Sequence, residues 1–149
     1  MERLTEVQWT IPIWMLRGNP QTVHNQRTNP STILDETTPP PLRYRCRHCQ
    51  TPIAFVSDEI PVSDLGSHSI QVNPNGFVHE VITVRCTQST RSLGNPIPAD
   101  SWFPGYCWRY LVCDGCTEFV GWSYSRPMEI HMTFAGLSRA AVTQDQSED

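Results

Sequence analysis

Lysine is missing altogether: all eleven cationic side chains of this 149-residue chain are Arg, although Lys normally ranks among the commonest residues. Long apolar runs are missing too. Nothing approaches the roughly 20 consecutive apolar residues of a membrane span, so no membrane role is expected. The opening stretch, Met1 to Trp9, lacks the basic start and the apolar core of about 7–15 residues that mark a secretory signal. No Asn-x-Ser/Thr acceptor is present, because Asn29 is followed by Pro30. A basic excess is absent as well, with formal net charge −4, which argues against a nucleic-acid partner. These absences point to the cytoplasm or nucleus, where paired cysteines favour metal over disulfide.

What the chain does have is punctuation. Thirteen Pro and eight Gly separate short apolar runs, the pattern of an all-β domain rather than a helical one. Residues 1–43 read as an N-terminal arm: an apolar patch holding Trp9 and Trp14, then a polar run ending in Pro39-Pro40-Pro41, a linker composition. Docking of that patch on the main domain is the expectation. Strand-like pieces follow around Tyr44–Gln50, Phe55–Leu65 and Ser69–Val72. Asn73-Pro74-Asn75-Gly76 supplies a turn, and Val78 to Cys86 is the clearest strand. Thr87 to Pro98 reads as a long loop. Phe134 to Val142 predicts a last strand or helical turn, and residues 143–149 an acidic, frayed tail.

The densest stretch is Asp100 to Tyr124, which holds three of the five tryptophans, Trp102, Trp108 and Trp122. Cys113 and Cys116 flank Asp114-Gly115, a dipeptide suited to a tight turn. The aromatic and β-branched runs on either side, Tyr106–Val112 and Glu118–Tyr124, read as the strands of a hairpin. Pairing Val112 with Glu118 sets Trp108 opposite Trp122 and Tyr106 opposite Tyr124. Because side chains alternate faces along a strand, the indoles then converge on one small space.

Cys46, Cys49, Cys113 and Cys116 form two Cys-x-x-C pairs with 63 residues between them. Each such turn places two thiolates on one side of an ion, and two turns complete a tetrahedral sulfur site for one structural zinc. His48 inside the first turn is an alternative ligand, and disulfides or a redox pair are the competing use of these cysteines. Cys86 and Cys107 are left over and are expected to be small buried apolar residues, Cys107 pointing away from the indoles.

Taken in order, Cys46–Cys49, V-N-P-N-G-F-V-H-E at 72–80, L-G-N-P at 93–96, S-W-F-P-G-Y-C-W at 101–108, Cys113–Cys116, G-W-S-Y at 121–124 and F-A-G-L-S-R at 134–139 resemble the CULT domain, the thalidomide-binding module of the cereblon family. The resemblance covers residues 44–142. It implies a β-tent, two antiparallel sheets meeting at a steep angle near the zinc. It implies a cage of Trp102, Trp108 and Trp122 with Tyr124 as the aromatic floor, and Asn73 and Pro74 at the rim. At Asp100 the family uses the backbone carbonyl to accept an imide N–H, and Trp102 offers its backbone N–H to the ring. Asn75 and Asp100 depart from the family's usual rim residues.

The implied ligand is a cyclic imide: a glutarimide, a succinimide, a thalidomide-type compound, or a protein chain end bearing cyclised Gln or Asn. The implied role is a monomeric substrate receptor of a cullin-4 ubiquitin ligase, not an enzyme. Family members contact the ligase adaptor through a LON-like domain, which residues 1–43 do not resemble, so a stand-alone form or a fragment is expected. A lysine-free chain near ubiquitin transfer offers no side-chain acceptor amine. Three other readings compete: the tryptophans as plain core, a methyl-lysine reader using an aromatic cage, and a relative of methionine sulfoxide reductase B using Cys107 or Cys86 as nucleophile.

Overall fold

The computed structural model describes residues 38–147; the arm with Trp9 and Trp14 lies outside them. Nine strands run β1 (Arg43–Cys46), β2 (Pro52–Phe55), β3 (His68–Val72), β4 (Val78–Val84), β5 (Thr90–Ile97), β6 (Cys107–Cys113), β7 (Phe119–Ser125), β8 (Phe134–Ser138) and β9 (Val142–Gln144). They form two antiparallel sheets, one ordered β2-β1-β9 and the other β3-β4-β8-β7-β6-β5. The all-β, two-sheet expectation holds.

Several strands of the larger sheet are buried on both faces, so their sequences run apolar rather than alternate. In β4, Val81 faces an aromatic cluster with Trp122, Tyr124, Phe134 and Phe103, while Ile82 and Val84 face an aliphatic one. That aliphatic cluster joins the sheets, packing Tyr44, Ile53 and Val142 of the smaller sheet on Leu111, Val120 and Leu137 of the larger. A polar tie runs beside it. Glu59 accepts hydrogen bonds from the Tyr44 hydroxyl and from Ser67 Oγ at 2.9 Å, and its Oε2 lies 3.0 Å from His68 Nε2.

The β6–β7 hairpin forms where expected but with a different register. Trp108 lies opposite Tyr124 and Tyr110 opposite Trp122, and a bulge at Val120 lets Val112 meet Phe119. The six-residue metal turn is the cause: the Cys113 N–H donates to the Glu118 carbonyl at 2.9 Å, which draws Glu118 into the turn. The offset beyond the bulge is two residues, an even number, so Trp108, Trp122 and Tyr124 keep the shared face that a one-residue slip would have lost. The extra residue of a bulge breaks alternation. Val120 therefore turns into the aliphatic cluster, and Phe119 joins the aromatic face.

Gly121 follows the bulge at φ +157, where a Cβ would lie 2.1 Å from the Gly136 carbonyl oxygen of β8. Only glycine permits that approach.

Two further expectations are corrected. Residues 90–97 are a strand, β5, paired with β6. Its Pro96 is tolerated because β5 is an edge, and its register breaks between Leu93 and Ile97. Beyond residue 142, β9 pairs with β1, and Asp145 is held by Arg45 Nε at 2.8 Å and by a hydrogen bond from its N–H to the Arg43 carbonyl at 2.9 Å. Ordered pairing thus continues into the stretch expected to fray. No helix among the described residues is long and apolar enough to cross a membrane.

Candidate functional site

Two centres share the β6–β7 hairpin. At its turn end the four cysteines Cys46, Cys49, Cys113 and Cys116 gather, with all four sulfurs within 4.8 Å of one another. Cys46 ends β1 and Cys113 ends β6, so the cluster joins the smaller sheet to the larger. No disulfide forms. The Sγ atoms of Cys46 and Cys116 are 3.6 Å apart, as are those of Cys49 and Cys113. Four thiolates at zinc's usual bond length of about 2.3 Å sit roughly 3.8 Å from one another in a tetrahedron. The residues present therefore fit such an ion. His48 is not among the clustered ligands.

Electrostatics within the cluster are uneven. Hydrogen bonds from the Thr51 side chain and backbone lower the Cys49 thiol to about 6. The Glu118 backbone N–H favours the Cys116 thiolate, but desolvation and the three neighbouring sulfurs outweigh it and push Cys116 up to about 12. Desolvation likewise raises Cys46. Four crowded sulfurs cannot all ionise against their mutual repulsion; a dication held there would supply the missing charge.

Further along the hairpin lies a cavity of about 350 Å³. Trp102, Trp108, Trp122, Tyr124, Asn73, Pro74 and Asp100 all border it, together with Asn75. The Trp102 and Trp122 rings meet edge to face at 4.7 Å and 76°. Two indoles are pinned by their own N–H groups: Trp102 Nε1 donates to the Val72 carbonyl at 3.0 Å, and Trp108 Nε1 to the Ala99 carbonyl at 2.8 Å. The walls are thus fixed to β3 and to the loop before Trp102. Asp100 in that loop has φ +58, a left-handed conformation that Asp tolerates better than most residues. On the rim, Asn73 Oδ1 accepts the N–H groups of Asn75 at 3.0 Å and Phe77 at 2.9 Å. The side-chain carbonyl of Asn73 is committed to its own turn, and its NH₂ is the group left for anything in the cavity.

Sequence reasoning missed three lining residues, His79, Tyr110 and Phe119. His79 packs 5.5 Å from Trp102 and 5.1 Å from Trp122; strand alternation from Val81, two residues on, was the available signal. Tyr110 lies on the same strand face as Trp108, 5.2 Å away. Phe119, 5.0 Å from Trp122, had no signal, because the bulge puts it there. Tyr106, expected only to pair with Tyr124, does not border the cavity; it packs on Phe134 at 4.9 Å.

Neither leftover cysteine borders the cavity. Cys107 is buried, as expected, but Cys86 is exposed, and desolvation with the nearby Asp58 raises its thiol. That is the reverse of an activated nucleophile.

Fold and site together define an all-β domain, anchored at four cysteines, that carries an aromatic cage. No family model matches the chain. Curated relatives do. It is 34% identical over 116 residues to protein cereblon of Drosophila simulans, and equally to that of Drosophila melanogaster, with 75% of this chain and 19% of each relative aligned. Protein cereblon of Danio rerio is 35% identical over 100 residues, 65% of this chain and 23% of that protein. Over about three quarters of its length the chain is homologous to cereblon, consistent with a CULT-type domain, and it spans about a fifth of the length of the curated relatives it matches.

Proposed function

We propose that the cage binds a neutral cyclic imide of five or six ring atoms. The observation that carries this reading is the convergence of three indoles, two of them locked by hydrogen bonds, on a cavity of about 350 Å³. That volume lies near the lower end of ligand sites, roughly 300–1,000 Å³. Indole faces pack against CH₂ edges, while the Asp100 carbonyl and the Trp102 backbone N–H read the imide. A ring lacking those partners leaves buried polar groups unpaired and binds poorly. For about eight heavy atoms, efficiency bounds give roughly −5 to −7 kcal/mol, micromolar at best. Asn73 and Pro74 at the rim then add contacts to whatever the ring is attached to.

By resemblance to the family, the natural ligand is a protein chain end carrying cyclised Gln or Asn, presented to a cullin-4 ubiquitin ligase. Zinc is the ion we assign to the four cysteines, since an all-thiolate tetrahedral set selects it and leaves no position open for catalysis. The free thiols suit a reducing compartment, cytoplasm or nucleus.

Titration of the purified protein with glutarimide, followed by tryptophan fluorescence, tests the reading. A saturable change at micromolar to submillimolar concentration is expected. Silence through the millimolar range would overturn it, and tighter binding of tetramethylammonium would favour a methyl-lysine reader, for which Asp100 is the one carboxylate on the cavity.

A further inference from the structure

The two cysteine turns share one backbone design and part at a single side chain. In each, the residue after the second cysteine is left-handed, Gln50 at φ +64 and Thr117 at φ +64. That residue donates its N–H to the carbonyl of the first cysteine at 2.8 Å. The first cysteine's own N–H donates to the carbonyl of the sixth residue at 2.9 Å, Thr51 in one turn and Glu118 in the other. The sixth position is where they differ. Thr51 places its hydroxyl oxygen 3.0 Å from Cys49 Sγ. Its counterpart Glu118 carries a carboxylate, which accepts only, and the neighbouring Thr117 hydroxyl turns to the Cys116 carbonyl at 2.6 Å. Cys116 therefore receives the Glu118 backbone N–H but no hydroxyl among the described residues. The opposite turn leaves room for Thr51: a Cβ on Gly115 would lie 2.5 Å from Thr51 Oγ1 and 3.2 Å from Cys49 Sγ.

Exposure is just as uneven. Cys46 and Cys113 are buried and Cys116 is intermediate, whereas Cys49 is exposed. A thiolate is both metal ligand and nucleophile, so the ligand that solvent reaches is the one an electrophile meets first. A hydroxyl donating to that sulfur draws charge from it and fixes its direction; outer partners of this kind are typically worth ~10–100-fold in metal affinity. Building on the zinc assignment, we infer that Cys49 is the modification site of the cluster and that Thr51 is the positioning residue that guards it. With an alkyl halide, Cys49 Sγ forms a bond to carbon and the halide leaves with its electron pair. The product is a neutral thioether, a poorer zinc ligand than the thiolate it replaces.

The test uses the purified, zinc-loaded chain beside Thr51→Val, which keeps the shape without the hydroxyl, and Thr51→Ser, which keeps the hydroxyl. Elemental analysis gives the zinc content, and transfer to the chelating dye pyridylazoresorcinol gives the release rate. Limited iodoacetamide treatment with peptide mass spectrometry shows which sulfur is labelled. Among the four cluster cysteines, Cys49 should be labelled first in the wild type. Thr51→Val should release zinc and label Cys49 at least about threefold faster, within what one hydrogen bond supplies, and Thr51→Ser should stay near wild type. A different cluster cysteine labelled first, a smaller change in Thr51→Val, or Thr51→Ser as fast as Thr51→Val would overturn the inference while the zinc assignment stands. If the wild type neither contains zinc nor takes it up, both fall. Should Thr51→Val misfold, the wild-type labelling order decides for Cys49. Gly115→Ala, which displaces the hydroxyl with Thr51 still in place, then decides for Thr51 by the same threefold measure.

Discussion

Leu111 and Tyr110 are neighbours in β6, and they meet opposite fates. Leu111 is 1% exposed in the aliphatic cluster that seals the two sheets together, whereas Tyr110 is 51% exposed on the wall of the cavity. Branched aliphatic side chains interdigitate and close space to crystal-like density. Large flat rings meeting edge to face at 4.7–5.2 Å brace one another while leaving a gap between them. The same strands thus make a filled core on one face and an open cage on the other. The lesson is that the void depends on rigid ring geometry backed by a solid layer, with the cysteine cluster tying that layer shut.

The comparison breaks most completely at the cysteines. Cys113→Ser should leave the protein insoluble or unfolded, since structural zinc is worth an apparent ~10–16 kcal/mol in zinc-finger peptides, about the whole stability of a domain. Recovery of a soluble, metal-free variant with native circular dichroism would show that the sheets hold without it.

Next come paired substitutions on the two faces. Leu111→Ala is expected to lower unfolding free energy by about 2–5 kcal/mol. Trp108→Ala should instead cost about 2 kcal/mol or more in imide affinity, with metal content unchanged. Denaturant melts and titrations of both variants check this, and equal stability losses would mean that the cage is core after all.

Asp100→His sharpens the rim. Histidine also tolerates positive φ, so the backbone carbonyl keeps its direction and affinity should change by less than about 2 kcal/mol. A larger drop in titration would assign the contact to the Asp side chain.

The smallest effect concerns Glu59, the polar tie between sheets. Burial opposes its charge, but hydrogen bonds from Tyr44, Ser67 and His68 prevail and hold its carboxyl below its ordinary value of 4.5. A depressed folded value means that its stabilisation is fully present above the unfolded value and fades as pH falls through the folded one. Glu59→Gln should therefore flatten the loss of stability in acid below about pH 4.5, measured as melting temperature against pH. An unchanged acid limb would remove Glu59 from the account.

How much of this was legible in the chain depends on whether the determinant is local. The cysteine spacing and the aromatic runs are short-range signals, and the residues at 46, 49, 113 and 116 do gather. So do Trp102, Trp108, Trp122 and Tyr124. β5 was illegible because T-R-S-L-G-N-P-I has poor strand composition, and it is extended only because β6 offers an edge to pair with. The bulge at Val120 was equally hidden. It arises from the length of the cysteine turn and the close approach of Gly121 to Gly136, and it carries Phe119 into the cage against simple alternation. Asn73 was read as a contact group, but its local turn chemistry takes half of its amide.

The pairing of β9 with β1 has a consequence for how such a unit is carried. Arg43 and Asp145 are hydrogen-bonded neighbours, so the chain comes into the described domain and leaves it side by side. Both junctions sit on the smaller sheet, none of whose strands borders the cage. A cassette with adjacent ends can be spliced into a longer polypeptide without disturbing its contents.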